Sequence, residues 1–140
     1  TVLQTGDVFN YSYTCPDPGD LNIRRSFEQG AHLVVSVLSR FGLSARHRGT
    51  SDIAVGDRKI SGNAQARKWH AILLHGTLLV DMDWHLVESV LRHPDREPDY
   101  REGRSHRDFM TTLRGLGVDA SRLEIENAFR AAAMETFAEK

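Results

Sequence analysis

The sequence predicts an α+β fold, in which a mixed or antiparallel sheet is flanked by helices, and three observations lead to this class. Residues 8–15 alternate apolar and polar side chains with the period of two that is typical of a strand. Residues 23–41 repeat apolar side chains at helical spacing. Residues 43–80 hold short apolar runs separated by glycine-containing turns, which indicates hairpins. A chain of 140 residues is about one domain long, so we expect a single domain over 1–140.

The first strand and the first helix each have one apolar side. The strand's aromatic face, which we expect to be buried, holds Phe9, Tyr11, Tyr13 and Cys15. The helix is predicted over Ile23–Phe41, with a cap at Asp20 or Asn22 and a stop at Gly42. Its buried stripe is formed by Ile23, Phe27, Ala31, Val34, Val35, Leu38 and Phe41.

The middle of the chain predicts four strands. They cover Leu43 to His47, Asp52 to Val55, Lys59 to Arg67 and Trp69 to Val80. Gly56 and Asp57 form the tight turn between the second and third of these strands, because Gly and Asp tolerate the positive φ that short hairpin loops need. The turn delivers Lys59 to the start of a strand.

The remainder of the chain predicts two short helical segments and a terminal helix. A helix starts at Asp83 and ends before Pro94, and another covers Asp108 to Leu116. Residues 92–104 are charged and aperiodic, which predicts an exposed loop, either a lid or docking segment or a connection without a role. Ser121 and Glu124 form a capping-box signature before an apolar helix face. That face is made of Leu123, Phe129, Ala132, Ala133 and Phe137.

Composition excludes several classes of protein. The formal net charge is -1, so no basic excess indicates nucleic acid as a partner. No apolar run approaches the ~20 residues of a membrane span, and no signal peptide is visible. Cys15 is the single cysteine, which excludes an internal disulfide and fits a reducing compartment. We therefore expect a cytoplasmic protein.

The segment Gly56 to Thr77 concentrates the chemistry of the chain. Ser61, Gly62, Asn63 and Ala64 are too small and polar to fill a core, so we expect their backbone amides to be accessible to a ligand. Lys59 beside them supplies a fixed ammonium for an anion. Taken alone, Lys59 is better explained as a solvated lysine beside a turn.

These residues resemble a known family. GDRKISGNAQARK at 56–68 and LLHGTLLVDMD at 73–83 are similar to the GRKISGSAQ and HHGTLL segments of lipoate-protein ligases, within the biotin and lipoate ligase superfamily. Arg48 to Asp52 is similar to the family's GRNDL, with Ser51 in place of Asn. Asn10-Tyr11-Ser12 resembles its NYSL strand, and Ser105 to Leu113 is a weaker match to SVRSRVTNL. The segment resembles the lipoate branch more closely than the biotin branch.

The resemblance implies a set of site residues. Lys59 would be the catalytic residue, contacting both the lipoyl carbonyl and the phosphate of the acyl-adenylate. ATP and the acyl-adenylate would be bound by Thr1, Val2, Leu3, Asn10, Ser12, Asp52, Lys59, Ser61, Gly62, Asn63 and Ala64. The lipoyl-chain pocket would be lined by His75, Gly76 and Thr77. Two alternatives stay open. Asn10 and Ser12 could simply form the solvent-exposed side of a strand, and His75 could have its hydrogen bonds satisfied within the sheet. Asp52 is also a candidate ligand for Mg²⁺, because hard cations prefer carboxylates.

The activity implied is ATP-dependent. Lipoate or octanoate and ATP give the acyl-adenylate, and the acyl group passes to a lysine of a lipoyl carrier domain, such as those of 2-oxoacid dehydrogenase E2 subunits or the glycine cleavage H protein. The alternatives are an octanoyl or lipoyl acyltransferase and a non-catalytic module that binds lipoate or the lipoyl domain. Superfamily transferases use a cysteine thioester, and we expect Cys15 to be too buried for that role.

The first residues also resemble part of a family motif. Thr1 to Gln4 is similar to the end of the RRxSGGG loop segment, whose earlier part is absent from this sequence. We therefore expect the chain to be the later portion of a longer domain, with a complementing chain as one possible source of the earlier segment.

Overall fold

A five-stranded antiparallel sheet forms the centre of the molecule and confirms the predicted α+β class. The computed structural model describes residues 3–20 and 22–138. The strands lie in the order β1-β5-β4-β3-β2, and every neighbouring pair is antiparallel. They cover Val8–Pro16 (β1), Ala45–Arg48 (β2), Asp52–Val55 (β3), Arg58–Lys68 (β4) and Ala71–Leu79 (β5). Each strand differs by only a few residues from the predicted one.

Two long helices cover one face of this sheet. The helices span Ile23–Ser39 (α1), Trp84–Val90 (α2), His106–Phe109 (α3) and Arg122–Phe137 (α4). Helices α1 and α4 pack on each other and on the sheet around a cluster that includes Leu38, Ile60, Leu78 and Ile125. Burial of each such side chain contributes roughly 1.5–3 kcal/mol. This main core holds the strands in register.

The opposite face of the sheet is covered only at one end. Val8 and Leu79 pack there with Met82 and Val87, which brings α2 against the sheet. The rest of this face carries small and polar side chains, and it remains open. Among the described residues, no helix has the length and apolar character needed to cross a membrane.

Three helix starts follow their predicted caps. The Asn22 side chain accepts from the backbone N–H of Arg25 at 2.9 Å, which selects Asn22 over Asp20. Asp83 caps α2, and Ser121 forms the full capping box of α4 with Glu124. Each cap satisfies backbone donors that the first turn of a helix leaves without a partner.

The fifth strand begins later than predicted. Trp69 and His70 form the turn between β4 and β5, with φ of 53° and 58°, so the strand starts at Ala71 instead of Trp69. Positive φ at both central residues gives the turn the twist that a two-residue hairpin needs. The Trp69 side chain is 84% exposed as a result.

Two predicted helix faces were partly wrong. Leu123 is 65% exposed and Ile23 is 60% exposed, although both were assigned to buried stripes. Ile125 is buried in α4 instead. Both misplaced residues lie at or next to the first residue of their helices.

The predicted helix over Asp108 to Leu116 was also wrong. Helix α3 ends at Phe109, and Met110 forms a parallel bridge with Lys59. The Thr111 N–H donates to the Lys59 carbonyl at 2.8 Å, and the Leu113 N–H donates to the Leu79 carbonyl at 2.9 Å. Pairing with the sheet therefore replaces helical hydrogen bonds, and only a short 3₁₀ turn follows at Arg114–Leu116.

The segment 92–104 is not simply an exposed loop, which corrects the prediction. It contains a 3₁₀ turn at Asp99–Arg101, and Arg101 is only 4% exposed. The guanidinium of Arg101 pairs with Glu97 at 3.3 Å and donates to the Arg104 carbonyl. The sequence of this segment is charged and aperiodic, so these ionic contacts could not be predicted from it.

Gly76 allows a hydrogen bond to cross β5, which lies between β1 and β4. Tyr11 and Asn63 are its register partners on β1 and β4, and the Tyr11 hydroxyl donates to Asn63 Oδ1 at 2.5 Å. A Cβ on Gly76 would lie 2.3 Å from Asn63 Oδ1 and 2.4 Å from the Tyr11 oxygen. The two side chains meet above Gly76 because it has none.

Replacing Gly76 should therefore destabilise the protein. We expect Gly76→Ala to lower the free energy of unfolding by about 1–3 kcal/mol, the usual cost of overpacking, measured by urea denaturation. Gly6→Ala is the matched control, because nothing lies within 4 Å of its added Cβ. Equal stability of the Gly76→Ala and Gly6→Ala proteins would contradict the account.

Candidate active site

A cavity of about 630 Å³ occupies the open face of the sheet, between the strands and α2. Its polar part is lined by Gln4, Asn10, Tyr11, Ser12, Ser51, Lys59, Gly62, Asn63, Ala64, His75, Gly76 and Thr77. Its apolar part is lined by Leu3, Leu79, Met82, Val87, Leu91 and Met110. A volume of this size is typical of small-molecule sites.

The polar floor of the cavity is built from two rows of register partners across the sheet. One row runs through Asn10, Thr77 and Gly62, and the next through Ser12, His75 and Ala64. Side chains alternate between faces along a strand, so these residues share the face opposite α1 and α4. Their small size leaves strand backbone open to a ligand.

Most of the predicted site residues lie at this cavity. The lining includes Leu3, Asn10, Ser12, Lys59, Gly62, Asn63, Ala64, His75, Gly76 and Thr77. Thr1 and Val2 lie outside the described residues. Asp52 and Ser61 do not line the cavity, although both contribute hydrogen bonds to residues that do.

Lys59 crosses the floor toward Asp52. Its Nζ donates to Asp52 Oδ1 at 2.7 Å, and the side chain passes over Gly62. A Cβ on Gly62 would lie 3.0 Å from both Cε and Nζ of Lys59. Gly62 therefore keeps the path of the lysine clear, and the partly exposed ammonium still faces the cavity.

Asp52 uses both carboxylate oxygens within the protein. Asp52 is 7% exposed, and its Oδ2 accepts from the Tyr100 hydroxyl at 2.9 Å while Oδ1 accepts from Lys59. Burial, followed by the charge of Asp52, raises the pKa of Tyr100 above its ordinary value, so the phenol is a neutral donor. Each Asp52 oxygen accepts one hydrogen bond and keeps a second lone pair, so the role of Asp52 as a Mg²⁺ ligand stays a prediction. No cluster of three His, Cys, Asp or Glu side chains occurs in residues 3–20 and 22–138.

Ser61 is buried on the helix-covered face, and its predicted contact with the acyl-adenylate stays a prediction. Its Oγ lies 2.9 Å from the Tyr11 hydroxyl, which donates to Asn63, and Asn63 Nδ2 donates to the Ser51 carbonyl at 2.9 Å. Burial raises the pKa of Tyr11 above its ordinary value, so this hydroxyl also stays protonated. The chain of hydrogen bonds fixes the orientation of the Asn63 amide on the helix-covered face.

His75 is exposed on the cavity side of β5. A histidine satisfied within the sheet, the alternative left open by the sequence, is therefore not what the structure shows. Asn10, the other ambiguous residue, donates from Nδ2 to Gln4 Oε1 at 3.2 Å at the cavity edge. Both residues can reach a bound molecule.

Several residues in or near the cavity were not among the predicted site residues. Met82, Leu91 and Met110 come from three separate segments and meet only in the folded chain. Tyr100 lies in the aperiodic segment, where no motif marked it. An aliphatic chain fits among the apolar side chains, and the Lys59 ammonium stands where an attached carboxylate would enter the polar part.

Known relatives share this architecture. An octanoyltransferase LipM from Symbiobacterium thermophilum is 33% identical over 114 residues, which are 81% of this chain and 38% of that protein. A bipartite lipoate protein ligase from Thermoplasma acidophilum, studied with its E2 lipoyl domain, superposes with a TM-score of 0.79 at 28% identity, over 95% of this chain and 52% of that chain. A lipoate-protein ligase A bound with ATP also gives 0.79, at 27% identity, over 94% of this chain and 53% of that chain.

The chain therefore spans about half the length of the solved structures that it matches, and less of the LipM sequence. The sequence profile of the lipoyl protein ligase A/B catalytic domain matches residues 1–134, nearly the whole chain. This match agrees with the fold and with the lysine-bearing cavity. The chain belongs to the lipoyl protein ligase A/B catalytic domain family.

Proposed function

We propose that the protein is a lipoate-protein ligase, which activates lipoate or octanoate with ATP and transfers the acyl group to a lipoyl carrier domain. The observation that carries the proposal is the position of Lys59, whose ammonium stands between an apolar cleft and a floor of small residues. In the proposed reaction, the carboxylate of a long-chain acid and the phosphate of a nucleotide meet at this ammonium. The ATP-bound ligase of similar fold supports ATP as the second substrate.

The first step joins two anions. A carboxylate oxygen of lipoate attacks the α-phosphorus of ATP, the bond to the β-phosphate oxygen breaks, and pyrophosphate leaves. Lys59 lowers the repulsion between carboxylate and phosphate and stabilises charge in the transition state. Its ion pair with Asp52 uses one of three N–H donors, so two remain for the reacting groups. Mg²⁺ would arrive with the phosphates of ATP.

The second step transfers the acyl group. The neutral amine of the carrier lysine attacks the acyl carbon of the adenylate, AMP leaves, and an amide forms. In this proposal the floor residues Asn10, Ser12, Gly62 and Ala64 face the adenylate, and His75 and Thr77 face the acyl chain near the carboxyl end. Leu3 lies at the same cavity, and Thr1 and Val2 precede it in the sequence.

The partners follow from the same proposal. The similar Thermoplasma ligase was studied with an E2 lipoyl domain and is bipartite, which supports a lipoyl carrier domain and a complementing chain as partners here. The proposed carriers are E2 subunits of 2-oxoacid dehydrogenases and the glycine cleavage H protein. The reaction is proposed to take place in the cytoplasm, and neither nucleic acid nor a membrane is a proposed partner. Residues 1–140 act as one unit in this scheme.

An octanoyltransferase is the second candidate, favoured by the similarity to LipM. That chemistry would need a nucleophile at the cavity, and no cysteine lines it in the described part of the chain. Cys15 is half-buried on the side of β1 that carries Tyr11 and Tyr13, which is the side packed against α4. Its placement therefore favours the ligase.

The third candidate, a non-catalytic lipoate-binding module, predicts binding without pyrophosphate release.

Incubation of the protein with lipoate, ATP and Mg²⁺ tests the proposal directly. We expect pyrophosphate release and lipoyl-adenylate, detected by mass spectrometry. Lipoate binding without either product would favour the binding module.

Lys59→Ala should lower the rate of adenylate formation by ~100-fold or more, because one preorganised charged contact is lost from the transition state. The rate of pyrophosphate release at saturating substrates measures the effect. Lys68→Ala is the matched control, since Lys68 lies beside the exposed Trp69 at the hairpin turn, away from the cavity lining. Similar rates for the two variants would refute the role of Lys59.

Cys15→Ser separates the ligase from the transferase. We expect ATP-dependent lipoylation of a carrier domain near the wild-type rate, because no thioester forms on the protein. Mass spectrometry of the wild-type protein after reaction with octanoyl or lipoyl donors should show no adduct at Cys15. An acyl adduct there, lost in Cys15→Ser together with transfer, would establish the transferase instead.

A further inference from the structure

The contacts of Lys59 extend beyond Asp52 into the segment that no motif explained. Lys59 Nζ and the Tyr100 hydroxyl donate to opposite oxygens of the Asp52 carboxylate, at 2.7 Å and 2.9 Å. Tyr100 lies in the 3₁₀ turn at Asp99–Arg101, 41 residues after Lys59 by their numbers in the chain. A buried carboxylate thus joins the proposed catalytic lysine to a distant tyrosine.

Tyr100 is itself held on several sides. The Arg48 guanidinium lies 4.5 Å from the centre of its ring, and the Phe109 ring packs at a centroid distance of 5.1 Å. Arg104 donates to the Tyr100 carbonyl at 2.7 Å and to Asp57 Oδ2 at 3.1 Å, which ties the turn to the β3–β4 hairpin. The hydroxyl therefore has one well-defined position.

This arrangement orients a flexible ammonium. Lysine has four rotatable side-chain bonds, and its ammonium carries no directional preference of its own. A carboxylate with one oxygen unpaired can rotate toward other donors or water, whereas a carboxylate bonded at both oxygens is fixed. Tyr100 fixes Asp52 without adding a second cation that would compete with Lys59 for the same charge.

We propose that Tyr100 is a positioning residue of the active site, which holds the Asp52 carboxylate so that Asp52 places the Lys59 ammonium over Gly62 toward the cavity. The catalytic consequence rests on the ligase function proposed above. The placement of the Lys59 ammonium does not depend on that function, and this placement can be measured without substrate.

The first test observes the lysine ammonium groups by NMR. The sequence contains three lysines, Lys59, Lys68 and Lys140, so ¹⁵N-lysine labelling gives few signals, and Lys59→Arg assigns the relevant one. We expect a visible Nζ signal for Lys59 in the wild-type protein, because the ion pair slows exchange with water. In Tyr100→Phe this signal should broaden or disappear while the Lys68 signal is unchanged.

Tyr13→Phe is the matched control. Tyr13 contacts Phe137 of α4, so the loss of its hydroxyl should leave the Lys59 signal unaltered. An unchanged Lys59 signal in folded Tyr100→Phe, with a native backbone amide spectrum, would overturn the proposal.

A second NMR measurement tests the same proposal without the Tyr100→Phe variant, in case that variant does not fold. With ¹³Cζ-labelled tyrosine, the Tyr100 signal should shift on Lys59→Ala, because Asp52 couples the two groups, while the Tyr13 signal stays in place. No shift at Tyr100 would again overturn the proposal.

Kinetics then separate positioning from folding. Tyr100→Phe should lower kcat for lipoyl-adenylate formation about tenfold, with the KM for lipoate changed by no more than about twofold, since misplacement of a reacting group acts on the chemical step. An equal kcat in the variant and wild type would count against the proposal. Absence of adenylation in the wild-type protein, together with the expected NMR changes, would refute the ligase function and leave the placement of Lys59 by Tyr100 and Asp52 supported.

Discussion

The ion pair between Lys59 and Asp52 depends on an arrangement that few sheets provide. The lysine must cross a neighbouring residue on its own strand, and Gly62 leaves that path free. The aspartate is almost buried, and donors on both of its oxygens replace the hydrogen bonds that water would supply. Gly62 and Asp52 together hold the Lys59 ammonium in its observed position. The local chemistry of the site follows from these two positions.

The two faces of the sheet serve different purposes. The face under α1 and α4 holds the main core, together with a polar row in which Tyr11 and Asn63 meet above Gly76. The open face holds small residues, so a ligand can approach strand backbone there. Because side chains alternate along each strand, the same segments of β4 and β5 contribute to stability on one face and to binding on the other. A shift of register by one residue would exchange these roles.

The position of α2 and Met110 gives the cavity its apolar end. Met110 pairs in parallel with Lys59, so backbone hydrogen bonds place an apolar side chain beside the ammonium. Val87 and Leu91 complete that wall from α2. In the proposed function, this juxtaposition of an apolar wall and a cation suits a fatty acid, and it agrees with the family to which the chain belongs.

The sequence by itself determined the α+β class, the strands, the caps at Asp83 and Ser121, and the group of small residues around Lys59. Local patterns carry these features, because alternation, capping and turn chemistry involve residues close together in the chain. Only the tertiary structure showed that Ser61 is buried, that Asp52 binds Lys59 and Tyr100, and that Met110 leaves a helix to pair with the sheet. Asp52 and Lys59 lie close together on one hairpin, but the other contacts join residues about 50 positions apart, which no local pattern records. Tyr100 is the clearest case, since it lies in a charged segment without periodicity and acquires its position only through Arg48, Phe109 and Asp52.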